Sequence, residues 1–195
     1  AGYFDTTASL IQLSLTFSMV GLAVGQLVIG PLSDKYGRKK TLMASLVLFC
    51  ISTIGCLYAS DIYVFIFFRL LQGLSGAGGV VISKSIATDL YEGRELTRFF
   101  SMLSSVQGIA PVCAPVLGGV LLEVTDWKGI FWILVLIGIL LIMALAFFKE
   151  SLNNEQQHCG VFATFRNYIP VFQNAQFMRY VLVQAFAMGV MFTYI

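Results

Sequence analysis

The chain has 195 residues, of which 58% are hydrophobic and 11% charged, whereas a soluble globular domain carries about 25% Asp, Glu, Lys and Arg. So few charges cannot cover a water-facing surface, and stretches that are apolar on every side need lipid as their solvent. The formal net charge of +2, with the bases in short clusters rather than a stripe, points away from a nucleic-acid partner.

A helix crossing a hydrocarbon core about 30 Å thick needs roughly 20 apolar residues, because each rises 1.5 Å and every backbone amide must be satisfied internally. Such runs occur at 10–32, 41–60, 62–83, 99–122 and 130–148, with a shorter one at 180–195. The expected fold class is an all-α integral membrane bundle of about six transmembrane helices. All but Arg69 and Lys128 of the 12 Lys and Arg residues fall on one side of the alternating linkers, and the positive-inside rule makes that side cytoplasmic. Residue 1 then lies outside. The first run then crosses inward, an odd start for a polytopic chain, so one helix is expected before Ala1; AGYFDTTASL, with no initiator Met and no basic n-region, shows no cleavable signal peptide.

In the first run Ser14, Ser18, Gly21 and Gly25 recur at helical spacing and predict a face of close helix approach. Gln12, Thr16, Gln26 and Gly30 share a neighbouring face, and Gln26, deep in the span, is a candidate to line a cavity. Gly30 and Pro31 are expected to end this helix. The loop GPLSDKYGRKK follows. Asp34 is costly at the negative C-terminal end of its own helix and needs a cation or another helix's N-terminus, while Gly37 permits a tight reversal.

The third run reads RLLQGLSGAGG. Its glycines, each about 1 kcal/mol worse than Ala in a helix, imply close contact or bending. Arg69 comes eight residues after Asp61, about 12 Å into the membrane by the helical rise, where a charge must face a cavity or a partner. The alternative is that Arg69 snorkels toward the outer surface. Gln72 is the third cavity candidate and Gln107 a weaker one. Lys84, at the cytoplasmic end of this helix, suits the negative end of the dipole.

The fourth run carries Gly108, Pro111, Pro115, Gly118 and Gly119. Two prolines remove two amide donors from one helix, so Pro111, Pro115, Gly118 and Gly119 are candidate hinge residues. Trp127, Lys128 and Trp132 flank the outer start of the next helix as interface anchors. Cys50, Cys56 and Cys113 lie in apolar segments as small buried hydrophobes. With Cys159 they form no CxxC spacing, so neither a disulfide framework nor a metal site is expected.

Residues 1–149 are thus expected to form a half bundle, 150–179 a cytoplasmic connector with an interface-lying part, and 180–195 the start of a further helix. His158, among Asn, Gln and Glu, is expected to be a solvated loop residue. The chain carries no HExxH, no GxSxG and no paired carboxylates at membrane depth, so it is not expected to be an enzyme.

GPLSDKYGRKK resembles the signature between the second and third helices of the major facilitator superfamily, and RLLQGLSGAGG resembles that superfamily's fourth-helix motif. GIAPVCAPVLGG resembles the fifth-helix motif of its antiporters, departing where Ala114 rather than Gly precedes Pro115. With GQLVIGPLSDKYGRKK and TDWKGIFWILV, the chain is most similar to the bicyclomycin-resistance type of drug:proton antiporters, over nearly its whole length. The resemblance implies a major facilitator-type bundle of twelve helices, present here from helix two to the start of helix seven, with the second half of the transporter as partner. It implies that Asp34 and Arg38 belong to a cytoplasmic latch, Asp34 meeting a helix N-terminus in the other half and Asp89 pairing with Arg38. Arg69 falls where antiporters carry an arginine linked to proton coupling, and the proton-carrying acid is expected in the absent part. The implied function is export of small drug-like molecules in exchange for protons from a bacterial inner membrane. The proton gradient is then the coupling source, with no cofactor, and lipid, substrate and protons are the partners. An importer or facilitator, or a truncated non-transporting membrane protein, is the alternative.

Overall fold

A computed structural model describes residues 8–147 and 173–194. It contains α1 (Ala8–Tyr36), α2 (Arg38–Tyr58), α3 (Ile62–Leu90), α4 (Gly93–Val124), α5 (Trp127–Ala146) and α6 (Ala175–Tyr194), with no strand among the described residues. The five helices α1 to α5 are long and apolar enough to cross a membrane. The chain divides into two compact units, Ala1–Gln157 and His158–Ile195, so α1 to α5 belong to the first and α6 to the second. His158, Cys159 and most of the expected connector lie outside the described residues.

Each apolar run grew into a helix, and several helices extend well past the run. α1 continues to Tyr36, α3 to Leu90, and α4 begins at Gly93. Lys, Arg and Glu are good helix formers, so a helix need not stop where the hydrocarbon does. The expectation that Gly30 and Pro31 end the first helix is therefore corrected: Pro31 lies inside α1 and is fully buried. One further turn carries Ser33 and Asp34 to the junction, where the Ser33 hydroxyl donates to the Gly30 carbonyl at 2.8 Å. The reversal is confined to Gly37, whose φ of 96° lies in the region that favours glycine.

α1 packs most extensively against α3, and glycine is the reason. A Cβ on Gly21 would strike the Leu70 carbonyl oxygen, one on Gly25 the Leu74 carbonyl oxygen, and one on Gly73 the Ser18 carbonyl oxygen. The backbones touch where any side chain would hold them apart, which is the means of association available in lipid. Ser14, Gly21 and Gly25 are buried, as their spacing predicts, while Gln12, Thr16 and Gln26 on the neighbouring face are exposed.

α2 packs on α3 and α5. Ser45 of α2 fills the space beside Gly78, and a Cβ on Gly138 of α5 would lie 2.6 Å from Cys50 Sγ. Towards one end Cys56, Ala59, Ile62 and Phe65 are buried together with Phe131 and Trp127 against them. Trp127 meets Phe65 edge-on at 6.3 Å between centroids, so it packs against the bundle as well as marking the start of α5. Ile29, Ala77 and Ile82 form a second cluster. α4 differs from the rest: it makes slight contact with α3 and α5 and has no buried residue. Cys113 is accordingly exposed, correcting the expectation of burial, whereas Cys50 and Cys56 are buried.

Candidate functional site: a three-helix ion cluster and an intramembrane polar line

The ends of α1, α2 and α3 on the expected cytoplasmic side bring three charges together, each at an unfavourable pole. Asp34 and Asp89 lie in the last turns of α1 and α3, where the dipole is negative, and Arg38 opens α2, where it is positive. The mismatch is relieved by pairing. Arg38 Nε donates to Asp89 Oδ2 at 2.9 Å, Nη2 to Asp89 Oδ1 at 3.5 Å, and Nη1 to Asp34 Oδ1. The Arg38 side chain is 8% exposed, that of Asp89 15% and that of Asp34 42%. The guanidinium fork is the chemistry this site needs, since a Lys could not engage both carboxylates with the same planar geometry.

Ser33 is the member that sequence reasoning missed. Its hydroxyl is wholly buried, accepts from Arg38 Nη1 at 2.7 Å and donates to Gly30. Nothing in its residue type announced this, because the contact depends on α1 continuing past Pro31. Beside the cluster, Lys39 Nζ donates to the Ala146 carbonyl at 3.0 Å, tying the start of α2 to the end of α5.

Within the span, Arg69 Nη1 donates to Gln72 Oε1 at 2.7 Å. The amide orientation follows, since Arg can only donate. Gln72 Nε2 therefore donates to Thr53 Oγ1 at 2.9 Å, and Thr53 Oγ1 donates to the Phe49 carbonyl at 2.6 Å. This line fixes Arg69 to α2. Gln72 and Thr53 are buried between α2 and α3, while Arg69 is half-buried, and no carboxylate among the described residues pairs with it. Gln26 stands exposed on α1 and Gln107 on α4, and neither joins the line. Thr53 had a legible signal, a hydroxyl inside an apolar run, but its partner nineteen residues away did not.

On α4 the helix runs unbroken through Pro111 and Pro115, and a Cβ on Gly108, Gly118 or Gly119 would meet nothing within 4 Å. No metal-binding group of His, Cys, Asp and Glu occurs among the described residues.

Comparison with known proteins bears on what such a bundle is. The family model described as the Major Facilitator Superfamily matches residues 1–195. The MFS-type transporter YdgK of Bacillus subtilis is 38% identical over 195 residues, covering 98% of this chain and 48% of that protein. A bicyclomycin resistance protein homolog of Haemophilus influenzae is 28% identical over 196 residues, with the same two shares. The multidrug resistance protein MdtL of Escherichia coli is 33% identical over 150 residues, covering 75% of this chain and 38% of that protein. The chain thus spans about half the length of the first two of these relatives. Among solved structures, the human organic anion transporter MFSD10 (TETRAN) shares the fold over 76% of this chain and 34% of its own, with a TM-score of 0.60 and 24% identity.

Proposed function

Since the chain belongs to the major facilitator superfamily, as a multi-pass chain of the bacterial inner membrane and not an enzyme, we propose that it exports small drug-like organic molecules in exchange for protons. The observation that carries this reading is Arg69, a fixed cation about 12 Å into the span with no carboxylate partner among the described residues. A charge held there is costly unless it serves a cavity, an ion path or a partner acid. Because arginine retains its proton, its part is to favour the ionised form of an acid brought near it and so tie protonation to the state of the cavity. The names of the relatives, a bicyclomycin resistance protein homolog and a multidrug resistance protein, support the substrate class.

In this proposal Arg38, Asp34 and Asp89 form a latch that closes the cytoplasmic ends of α1, α2 and α3, with a second half of the transporter completing it through Asp34, the most exposed of the three. Gln26 and Gln72 stand with Arg69 as the cavity set, Gln72 acting by holding the guanidinium. α4 bends at Pro111, Pro115, Gly118 and Gly119, with open space where a methyl would sit on either glycine.

The test uses inside-out membrane vesicles energised to an acid interior and read with a pH-sensitive dye. Adding bicyclomycin or another small lipophilic drug should release protons in wild type and not in Arg69→Ala. Drug accumulation that continues at the full rate after a protonophore collapses the gradient would rule out proton exchange.

A further inference from the structure

Between α1 and α2 lies a groove of about 360 Å³ floored by Leu74 and Ser75 of α3. It has no role in the ion cluster or in the Arg69 line. Along α2 it runs from Lys40 to Leu48, about 12 Å by the helical rise. One leaflet of a hydrocarbon core about 30 Å thick is roughly 15 Å deep, so the groove spans most of a single leaflet.

The walls accept only an apolar guest. Val28, Ile29, Leu32 and Leu48 supply carbon surface, and each lining Ser and Thr hydroxyl is already committed to a carbonyl. Thr41 donates to Leu32 at 3.5 Å, Ser45 to Thr41 at 2.9 Å and Ser75 to Gln72 at 3.0 Å. No Ser or Thr hydroxyl proton is left for a polar solute along the walls. The rim at the expected cytoplasmic end is cationic: Lys40 lines the mouth and Lys35 Nζ lies 5.0 Å from the centroid of the Tyr36 ring, which also lines it. Neither lysine forms an ion pair among the described residues, since Asp34 and Asp89 are taken by Arg38.

The geometry points to one acyl chain of an anionic phospholipid as the occupant, its phosphate at Lys40 and Lys35. The groove has the length of an acyl chain within one leaflet, and carbon lines it along that length. Its charged end sits where the headgroup of that chain would lie, and the cytoplasmic leaflet supplies anionic headgroups to basic residues at the membrane surface. This reading is independent of transport.

The experiment reconstitutes the protein into phosphatidylcholine vesicles doped with phosphatidylglycerol carrying a photoreactive diazirine in mid-chain. Adducts are mapped by peptide mass spectrometry. They are expected to concentrate on the peptides containing Leu32, Ala44 and Leu48, and a phosphatidylcholine probe with the same chains should label these roughly fivefold less, the effect of one cation at an anionic surface. Lys40→Gln should bring the phosphatidylglycerol yield down to the phosphatidylcholine level. Ala44→Phe, which fills the groove, should remove these adducts with both probes; Lys40 is exposed, so its substitution decides the matter should the Phe variant not fold. Adducts spread evenly over α1 to α5, a Lys40→Gln yield equal to wild type, or groove peptides free of lipid adducts while others are labelled would each overturn the proposal, the last by showing that protein covers the groove.

Discussion

Arg38 shows how much can depend on a single guanidinium. It holds two carboxylates that helix dipoles disfavour, and it buries its own charge against Ser33. Replacing it with Ala leaves Asp89, 15% exposed, without a counter-ion, and breaking a buried pair costs about 3 kcal/mol or more. The melting temperature of the purified protein should fall markedly in Arg38→Ala and only partly recover in Arg38→Lys, whose ammonium lacks the fork. At Gln72 a different outcome is expected. Gln72→Leu leaves Thr53 bonded to Phe49 and should cost about 1–2 kcal/mol, the penalty for an unmade buried hydrogen bond, yet it frees Arg69 from α2. Proton-coupled transport should then fall far more than stability does, and combining it with Arg69→Ala should add little further loss, since the two residues act as one unit. Additive losses in transport would separate them. Asp34 and Arg69 were legible in the sequence because a charge in or beside an apolar run demands a reason, whereas Arg38 and Asp89 were paired only through the family resemblance. Ser33 was not legible, and Thr53 showed only a hydroxyl inside an apolar run, because a hydroxyl is tolerated almost anywhere on a helix and only the neighbouring helix reveals what it bonds.

The helices themselves obey two different kinds of information. Hydrophobicity located them, but it under-reads their length, since α3 carries Lys84 and Asp89 inside its final turns and Pro31 sits within α1. Small residues decided which helices touch. The glycines of RLLQGLSGAGG were conspicuous as a set, though sequence alone does not say which of them carry contact. Gly73→Val would push a side chain into the Ser18 carbonyl. Overpacking of this kind costs about 1–3 kcal/mol, here with backbone that cannot yield, and the yield of folded protein by size-exclusion chromatography should drop sharply. Gly79 faces open space, with nothing within 4 Å of where a methyl would sit, so Gly79→Ala should be neutral or stabilising by up to about 1 kcal/mol. Equal behaviour of the two variants would contradict the packing of α1 on α3.

Across the whole molecule, burial is unevenly distributed. α1, α2, α3 and α5 share their interior, whereas α4 contributes no buried residue. The cysteines report this directly: Cys56 is 0% exposed and Cys50 8% exposed, while Cys113 on α4 is exposed. A small membrane-permeant maleimide should label Cys113 in this chain at least tenfold faster than Cys50 or Cys56, as read by peptide mass spectrometry, given that thiol reactivity follows access. Comparable rates would mean that α4 is covered or that the bundle opens. The relatives are about twice as long as this chain, and the bare face of α4 is the part of the fold that composition could not foresee, because an apolar helix reads the same whether lipid or protein lies against it.

Gly37 adds a mechanical constraint. Its amide bonds to Ser33 at 3.1 Å and its carbonyl to Thr41 at 3.2 Å, so the α1–α2 joint has no slack length to absorb movement. Torque on either helix passes to the other as through a crank, and an inserted tag of a few residues here should uncouple the pair even where every other contact survives.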